Sequence, residues 1–217
     1  MWEFRVFFQE KQKNSLSYYK KVIDFVQSMP TESRTDYYYI VNDYSIGLKN
    51  RGVILKSDKP KLELKVLKDR TSTGCEYWLK PIRHIISESF DLSVGLRSEA
   101  LIEILRNYKE NRKQFLINKI DVIIQQLSNS EIIRLDVKKD RKQASYGITI
   151  NNQNHLLALE LTDIEVQKEK WITISVEGFS KIAIEHIAQQ YLNEKNLFIM
   201  GYPQFLIEKI INNTLQK

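Results

Sequence analysis

Acidic and basic residues recur two positions apart in several segments of this chain. Glu3 and Arg5 stand in WEFRVFF, Lys49 and Arg51 in GLKNR, and Glu63 and Lys65 in KLELKVL. A β-strand turns alternate side chains to opposite faces, so each pair shares one face. The same parity collects Asp36 and Tyr38, Glu76 and Lys80, Arg134, Asp136 and Lys138, Glu160, and Ser175 and Glu177. Two kinds of chemistry use such a face. Opposed carboxylates hold a hard divalent cation through oxygen ligands. Lysines and arginines hold phosphate oxygens, arginine in bidentate fashion. Enclosed together, they stabilise charge developing on a phosphoryl group and support metal-assisted attack of water on a polyphosphate. A sheet with one solvated face gives the same alternation. Phe7, Trp78 and Ser175 also fall on the charged parity, and this favours enclosure.

The elements that must position these residues are mostly short strands. MWEFRVFF opens the chain as a strand, with Trp2, Phe4, Val6 and Phe8 on its apolar face. Leu16, Tyr19, Ile23 and Val26 give a helical stripe over 15–28, stopped before Pro30. Strands are expected at 35–41, 46–55, 61–67 and in CEYWLKP, which ends at Pro81. A helix is expected over 98–126, broken in the polar stretch 107–114. Strands then resume at 131–140, 144–150, 155–166 and 170–178, with Asn151-Asn152 as a hairpin turn. A helix over 180–191 follows, and Pro203 starts another at its first turn. Tight connections argue for antiparallel pairing. About nine strands are most economically arranged as a large sheet or a barrel.

Composition narrows the classes. With 217 residues, 42% hydrophobic and 28% charged, the chain can bury a full core as one domain of generous size or two small ones. The single cysteine, Cys75, excludes an intramolecular disulfide framework and fits a reducing, cytoplasmic compartment. Three histidines in separate contexts offer no metal-ligand spacing. No apolar run approaches a membrane span, and no Walker-type glycine loop is present. The net charge of +6 suits an anionic partner. The lysines are scattered and no nucleic-acid-binding motif stands out, so neither nucleic acid nor a membrane is the expected partner.

The order of these segments resembles the CYTH superfamily, the triphosphate tunnel metalloenzymes. TDYYYI resembles the second-strand pattern, GLKNRG the basic-x-basic strand, KLELKVL the strand after it, and DVKKDR the basic strand following the central helix. ISVEG is similar to the late strand that ends in a metal-binding glutamate, and FSKIAIEHIAQQYL with MGYPQFL to the C-terminal segment. The resemblance implies an α+β fold, a closed antiparallel tunnel of about eight strands with flanking helices, as a single domain spanning 1–217. It implies Mg2+ or Mn2+ held by Glu3, Glu63, Glu160 and Glu177, of which Glu3, Glu63 and Glu177 would be catalytic. It implies phosphate binding by Arg5, Lys49, Arg51, Lys65, Lys138 and Arg141. The ligand would be a triphosphate-bearing small molecule or inorganic polyphosphate.

The first strand departs from the family signature Glu-x-Glu-x-Lys. Here the register reads Glu3-Phe4-Arg5-Val6-Phe7, with an arginine for the second acid and a phenylalanine for the lysine. Losing a carboxylate and gaining a cation weakens a divalent-metal site. Two functions therefore stand side by side. One is a metal-dependent triphosphatase. The other is an inactive tunnel protein that binds a phosphorylated ligand or serves as a subunit of a larger assembly.

Overall fold

The computed structural model describes residues 1–52, 59–86, 97–110, 112–191 and 197–212. Its strands are β1 (Trp2–Gln9), β2 (Glu32–Ile40), β3 (Ile46–Arg51), β4 (Lys61–Arg70), β5 (Glu76–Ile85), β6 (Ile133–Ile150), β7 (Gln153–Val166), β8 (Glu169–Gly178) and β9 (Phe198–Ile199). Its helices are α1 (Ser17–Val26), α2 (Ser98–Lys109), α3 (Gln114–Ser128), α4 (Lys181–Tyr191) and the short α5 (Tyr202–Phe205), which runs into a π-helical turn at Leu206–Ile211. The polar stretch after Tyr108 separates α2 from α3, as its composition predicts. The end of the strand expected at 46–55 lies outside the described residues.

All nine strands form one antiparallel sheet in the order β5-β4-β3-β2-β6-β7-β8-β1-β9, and β1 also pairs with β5. That extra pairing closes the first eight strands into a barrel. β1 runs along β8 for its whole length, from Trp2 opposite Gly178 to Gln9 opposite Trp171. Its other edge is divided. Trp2 and Glu3 pair with Tyr77 and Glu76 of β5, and Val6 and Phe7 pair with Ile199 and Phe198 of β9. The Met1 ammonium, donating to the Trp78 carbonyl at 3.0 Å, adds to the closure.

Strand alternation then sorts side chains into a lumen and an outer surface. Outward, Phe4, Val6 and Phe8 join Leu159, Leu161, Ile174 and Val176 in a core beneath α1 and α4. On the other side Ile46, Leu48, Leu62, Leu64 and Val66 pack beneath Leu101 and Leu105 of α2 and Ile120 and Ile123 of α3. A third core lies inside the barrel. Phe7, Tyr38, Leu135, Val137, Ile164 and Trp171 surround Phe205, Leu206 and Ile210 from the C-terminal segment. The lumen is therefore apolar and plugged at one end, and only the other end holds charge. Gly47 accommodates the plug. A Cβ there would stand 3.2 Å from the Pro203 ring, tighter than packing tolerates without a shift.

The region expected to hold two strands, at 131–140 and 144–150, is one strand of 18 residues. The three residues left between them, Arg141–Gln143, continue the strand because its alternate residues face a polar lumen. Correspondingly β2 begins at Glu32, ahead of the expected Thr35. The hairpin turn is as expected. Asn151 and Asn152 both take positive φ, 49° and 61°, which matches the twist of the flanking strands. No helix among the described residues is long and apolar enough to cross a membrane.

The plug rests on Phe7 and Phe205, both fully buried, with rings parallel within 2° and 4.0 Å apart. Phe205→Ala should destabilise the protein by about 3–5 kcal/mol, the usual range for emptying such a site. Urea denaturation reads this directly, and a loss below about 1 kcal/mol would show that the plug does not hold the barrel end together.

Candidate functional site

The open end of the barrel is a cavity of about 180 Å³, lined by nine basic and four acidic side chains. They come from strands β1 to β8, two apart on β1, β3, β4 and β6. Arg34 and Tyr38 point in from β2, Lys49 and Arg51 from β3, and Glu63 and Lys65 from β4. Lys139, Arg141 and Gln143 point in from β6, Glu160 from β7 and Glu177 from β8.

Arg5 organises one wall. Its Nε donates to Glu3 at 2.6 Å and its Nη1 to Glu160 at 3.1 Å and to Thr173 Oγ1 at 3.2 Å. Nη2 reaches Glu177 at 3.4 Å. The guanidinium also lies 4.8 Å from the centre of the Tyr202 ring. Ser175 stands directly across the ladder from Arg5, and its short side chain leaves the guanidinium room. Lys65 donates to the second oxygen of Glu3 at 3.3 Å, and Arg141 Nη1 to that of Glu160 at 3.3 Å. Arg141 also donates to Glu32, from Nε at 2.9 Å and from Nη2, so its charge is divided between two acids.

The carboxylates around Arg5 titrate accordingly. Burial alone would push Glu3 up, but Lys65 and Arg5 override it and hold the carboxyl well below the usual range. Burial opposes ionisation of Glu160 too, yet Arg5 and Arg141 bring it to about 2. Glu177 goes the other way, raised by burial and by the neighbouring Glu3 charge.

The opposite wall is short of acid. Asp36, fully buried, accepts from Lys49 at 2.9 Å and from Arg34 Nε at 3.0 Å, with Lys139 Nζ also at 3.0 Å. Glu63 stands 3.6 Å from both Lys49 and Arg83 and 3.9 Å from Arg51. Five cations thus share two carboxylates, with Glu32 at the edge 3.7 Å from Arg34. The buried Arg34 Nη1 and the Tyr202 hydroxyl have no hydrogen-bond partner, although both residues line the cavity. Lys139 is 5% exposed, donates to the Tyr38 hydroxyl at 2.9 Å and lies 3.9 Å from the centre of the Tyr202 ring. Burial pushes its ammonium down to about 7, with Asp36 pulling against that shift and Lys49 and Arg34 adding to it.

The cavity brings together Glu3, Glu63, Glu160, Glu177, Arg5, Lys49, Arg51, Lys65 and Arg141. Lys138 is not among them. It points outward and pairs with Glu165 at 2.9 Å, because the inward parity of β6 is Leu135, Val137, Lys139 and Arg141. Arg134 and Asp136 lie outside with it and bond each other. The apolar pair on β6 resembles a face under helices but belongs to the internal plug. Arg34, Lys139 and Tyr202 have no counterpart among the sequence candidates. The alternation Glu32, Arg34, Asp36, Tyr38 carried the signal for the first of them.

The carboxylates do not fit a divalent ion as they stand. Glu3, Glu160 and Glu177 already surround a guanidinium, and Glu63 belongs to the cation-rich wall. Among the described residues, no group of three acidic, histidine or cysteine side chains is disposed to hold a metal.

The strand pairing and this lumen define the class, an α+β protein built on a closed, eight-stranded antiparallel tunnel. Two solved structures are similar to the chain. A Bacillus halodurans protein described as a candidate adenylate cyclase shares 14% identity over 88% of this chain and 86% of its own, with a TM-score of 0.45. A conserved hypothetical protein from Pyrococcus furiosus shares 14% identity over 93% and 98%, with a TM-score of 0.46. No protein-family profile and no curated protein matches the chain.

Arg5→Met keeps the bulk of the side chain and removes the charge. In the native protein, Glu3 and Glu160 have depressed pKa values, so their stabilisation is complete above the unfolded value of 4.5. It is lost as pH falls toward about 2, the folded value of Glu160. Without the guanidinium the three carboxylates repel and their pKa values rise. The variant should lose about 3–5 kcal/mol near neutrality and regain part of it on acidification from pH 7.5 to pH 5. Urea melts at the two pH values check the reversal; a pH profile parallel to the native one would refute the role given to Arg5.

Proposed function

We propose that the tunnel binds the phosphate chain of a polyphosphorylated small molecule or of inorganic polyphosphate, as a cytoplasmic, CYTH-like protein that holds this ligand without hydrolysing it. The observation that carries this reading is the wall on which five cations share two carboxylates. An anion entering there meets charge that the protein leaves uncompensated, in a partly desolvated site where each charge-assisted bond is strong. A row of tetrahedral oxyanions suits a slender cavity with cations at successive heights on β2, β3 and β6. The free, buried thiol of Cys75 accords with a reducing compartment.

Binding is favoured over hydrolysis because Glu3, Glu160 and Glu177 already serve Arg5. A hydrolase built on them would need those oxygens free to ligate a metal and orient water.

Isothermal titration of the protein with inorganic tripolyphosphate in EDTA tests the reading. Saturable binding is expected, with a rise in Tm. Lys49→Met should weaken it about 10- to 100-fold, the loss of one charged hydrogen bond, whereas Lys138→Met should leave it unchanged. No binding of tripolyphosphate, thiamine triphosphate or ATP would remove the proposal.

Lys139 adds a pH signature. With its ammonium near 7, an anion bound beside it raises that value and draws in a proton above neutrality. Between pH 6.5 and 8.5 the native affinity should fall more steeply than that of Lys139→Met. Equal slopes would place Lys139 outside the ligand's reach.

A further inference from the structure

We infer that the Arg5 guanidinium is a built-in replacement for a divalent cation, so that the tunnel takes its polyanion in metal-free form. The inference rests on the polyphosphate reading for its ligand, but its metal half stands on the Arg5 geometry alone.

Three carboxylates from three strands converge on this group: Glu3 of β1, Glu160 of β7 and Glu177 of β8. Their oxygens are of the hard type a divalent ion takes, but they are spaced around a guanidinium and not gathered to hold a metal. The guanidinium fills the space between them, 4% exposed, and satisfies one oxygen of each acid. The outer oxygens of Glu3 and Glu160 go to Lys65 and Arg141. Ser175, across from Arg5, and Thr173, which accepts from it, supply the space and the last contact. An ion entering here would have to displace a guanidinium whose charge is tied to all three acids.

Two consequences follow. Divalent metal should have no place on this wall of the native protein. The ligand's charge must then be met by the fixed cations of the other wall, Arg34, Lys49, Arg51 and Lys139, and not by a bridging ion. A polyphosphate already chelated by Mg2+ or Mn2+ has less charge to offer those side chains, so the free anion should bind more tightly than the complex. This reverses the order shown by a site that needs the metal.

The metal half is tested without any polyphosphate. Native protein and Arg5→Ala, which empties the space between the carboxylates, are titrated with Mn2+ and followed by calorimetry and thermal melting. Native protein should show no Mn2+ binding. Arg5→Ala should bind Mn2+ and gain about 5–10 °C in Tm at saturating metal. Mn2+ binding by native protein that is lost in Arg5→Ala would overturn the inference, and so would a folded Arg5→Ala that ignores the metal.

The ligand half compares tripolyphosphate binding to native protein in EDTA and in excess Mn2+, and it decides the matter if Arg5→Ala does not fold. Tighter binding in EDTA supports the inference; binding only with Mn2+ defeats it. Absence of binding in both buffers defeats the polyphosphate reading instead, and Mn2+ titration of native protein then decides the role of Arg5.

Discussion

Arg5 and its three carboxylates form the constraint around which the open half of this barrel is built. Taking a guanidinium and three carboxylates out of water is costly for each group alone. The arrangement is stable only because each charge meets an opposite charge at bonding distance. This requires β1 to lie beside β8 in one register, β7 to follow at a fixed stagger, and β4 to come round far enough for Lys65 to reach Glu3. Barrel closure and charge pairing are one problem. A slip of a single residue in β1 would turn Arg5 into the apolar layer under α1 and α4 and strand the acids.

The other half is held by different physics. Phe7 lies on the same parity as Arg5, two residues further on, yet it meets Phe205, Trp171 and Tyr202. The C-terminal segment fills the lumen and excludes water from that end. Tyr202 connects the two regimes, with its ring against Phe7 on one side and beneath Arg5 and Lys139 on the other. The aromatic floor also lowers the local dielectric, which strengthens every charge interaction above it.

This division explains what could be read from sequence. Wherever one strand face was charged and the other apolar, as in KLELKVL, alternation gave both the strand and the inward residues. It misled on β6. There Leu135 and Val137 are inward, like Lys139 and Arg141, because the strand runs from the plug to the polar cavity along a single face. A period-two pattern identifies a face but not its surroundings, and a lumen with two chemistries breaks the rule that apolar means outer core. The first-strand departure was visible as residue types, Arg5 for an acid and Phe7 for a lysine. What it meant was not. Only the three-dimensional convergence shows that Arg5 sits among the acids, and that Phe7 belongs to a plug whose other members lie about two hundred residues away.

The charge on the two walls then separates structure from binding. On the β1–β7–β8 wall, Glu3, Glu160 and Glu177 are answered by Arg5, with Lys65 reaching in from β4 and Arg141 from β6. On the β2–β3–β6 wall, Asp36 and Glu63 are each divided among three cations. Asp36 therefore acts less as a site residue than as a clamp. It keeps Arg34, Lys49 and Lys139 together when nothing else is bound, at the expense of their mutual repulsion. An entering anion relieves that repulsion without displacing Asp36, since each cation has further donors to give. The barrel reaches this arrangement by satisfying one wall fully and leaving the other deficient in acid, and it is the deficient wall that gives the cavity its preference for anions.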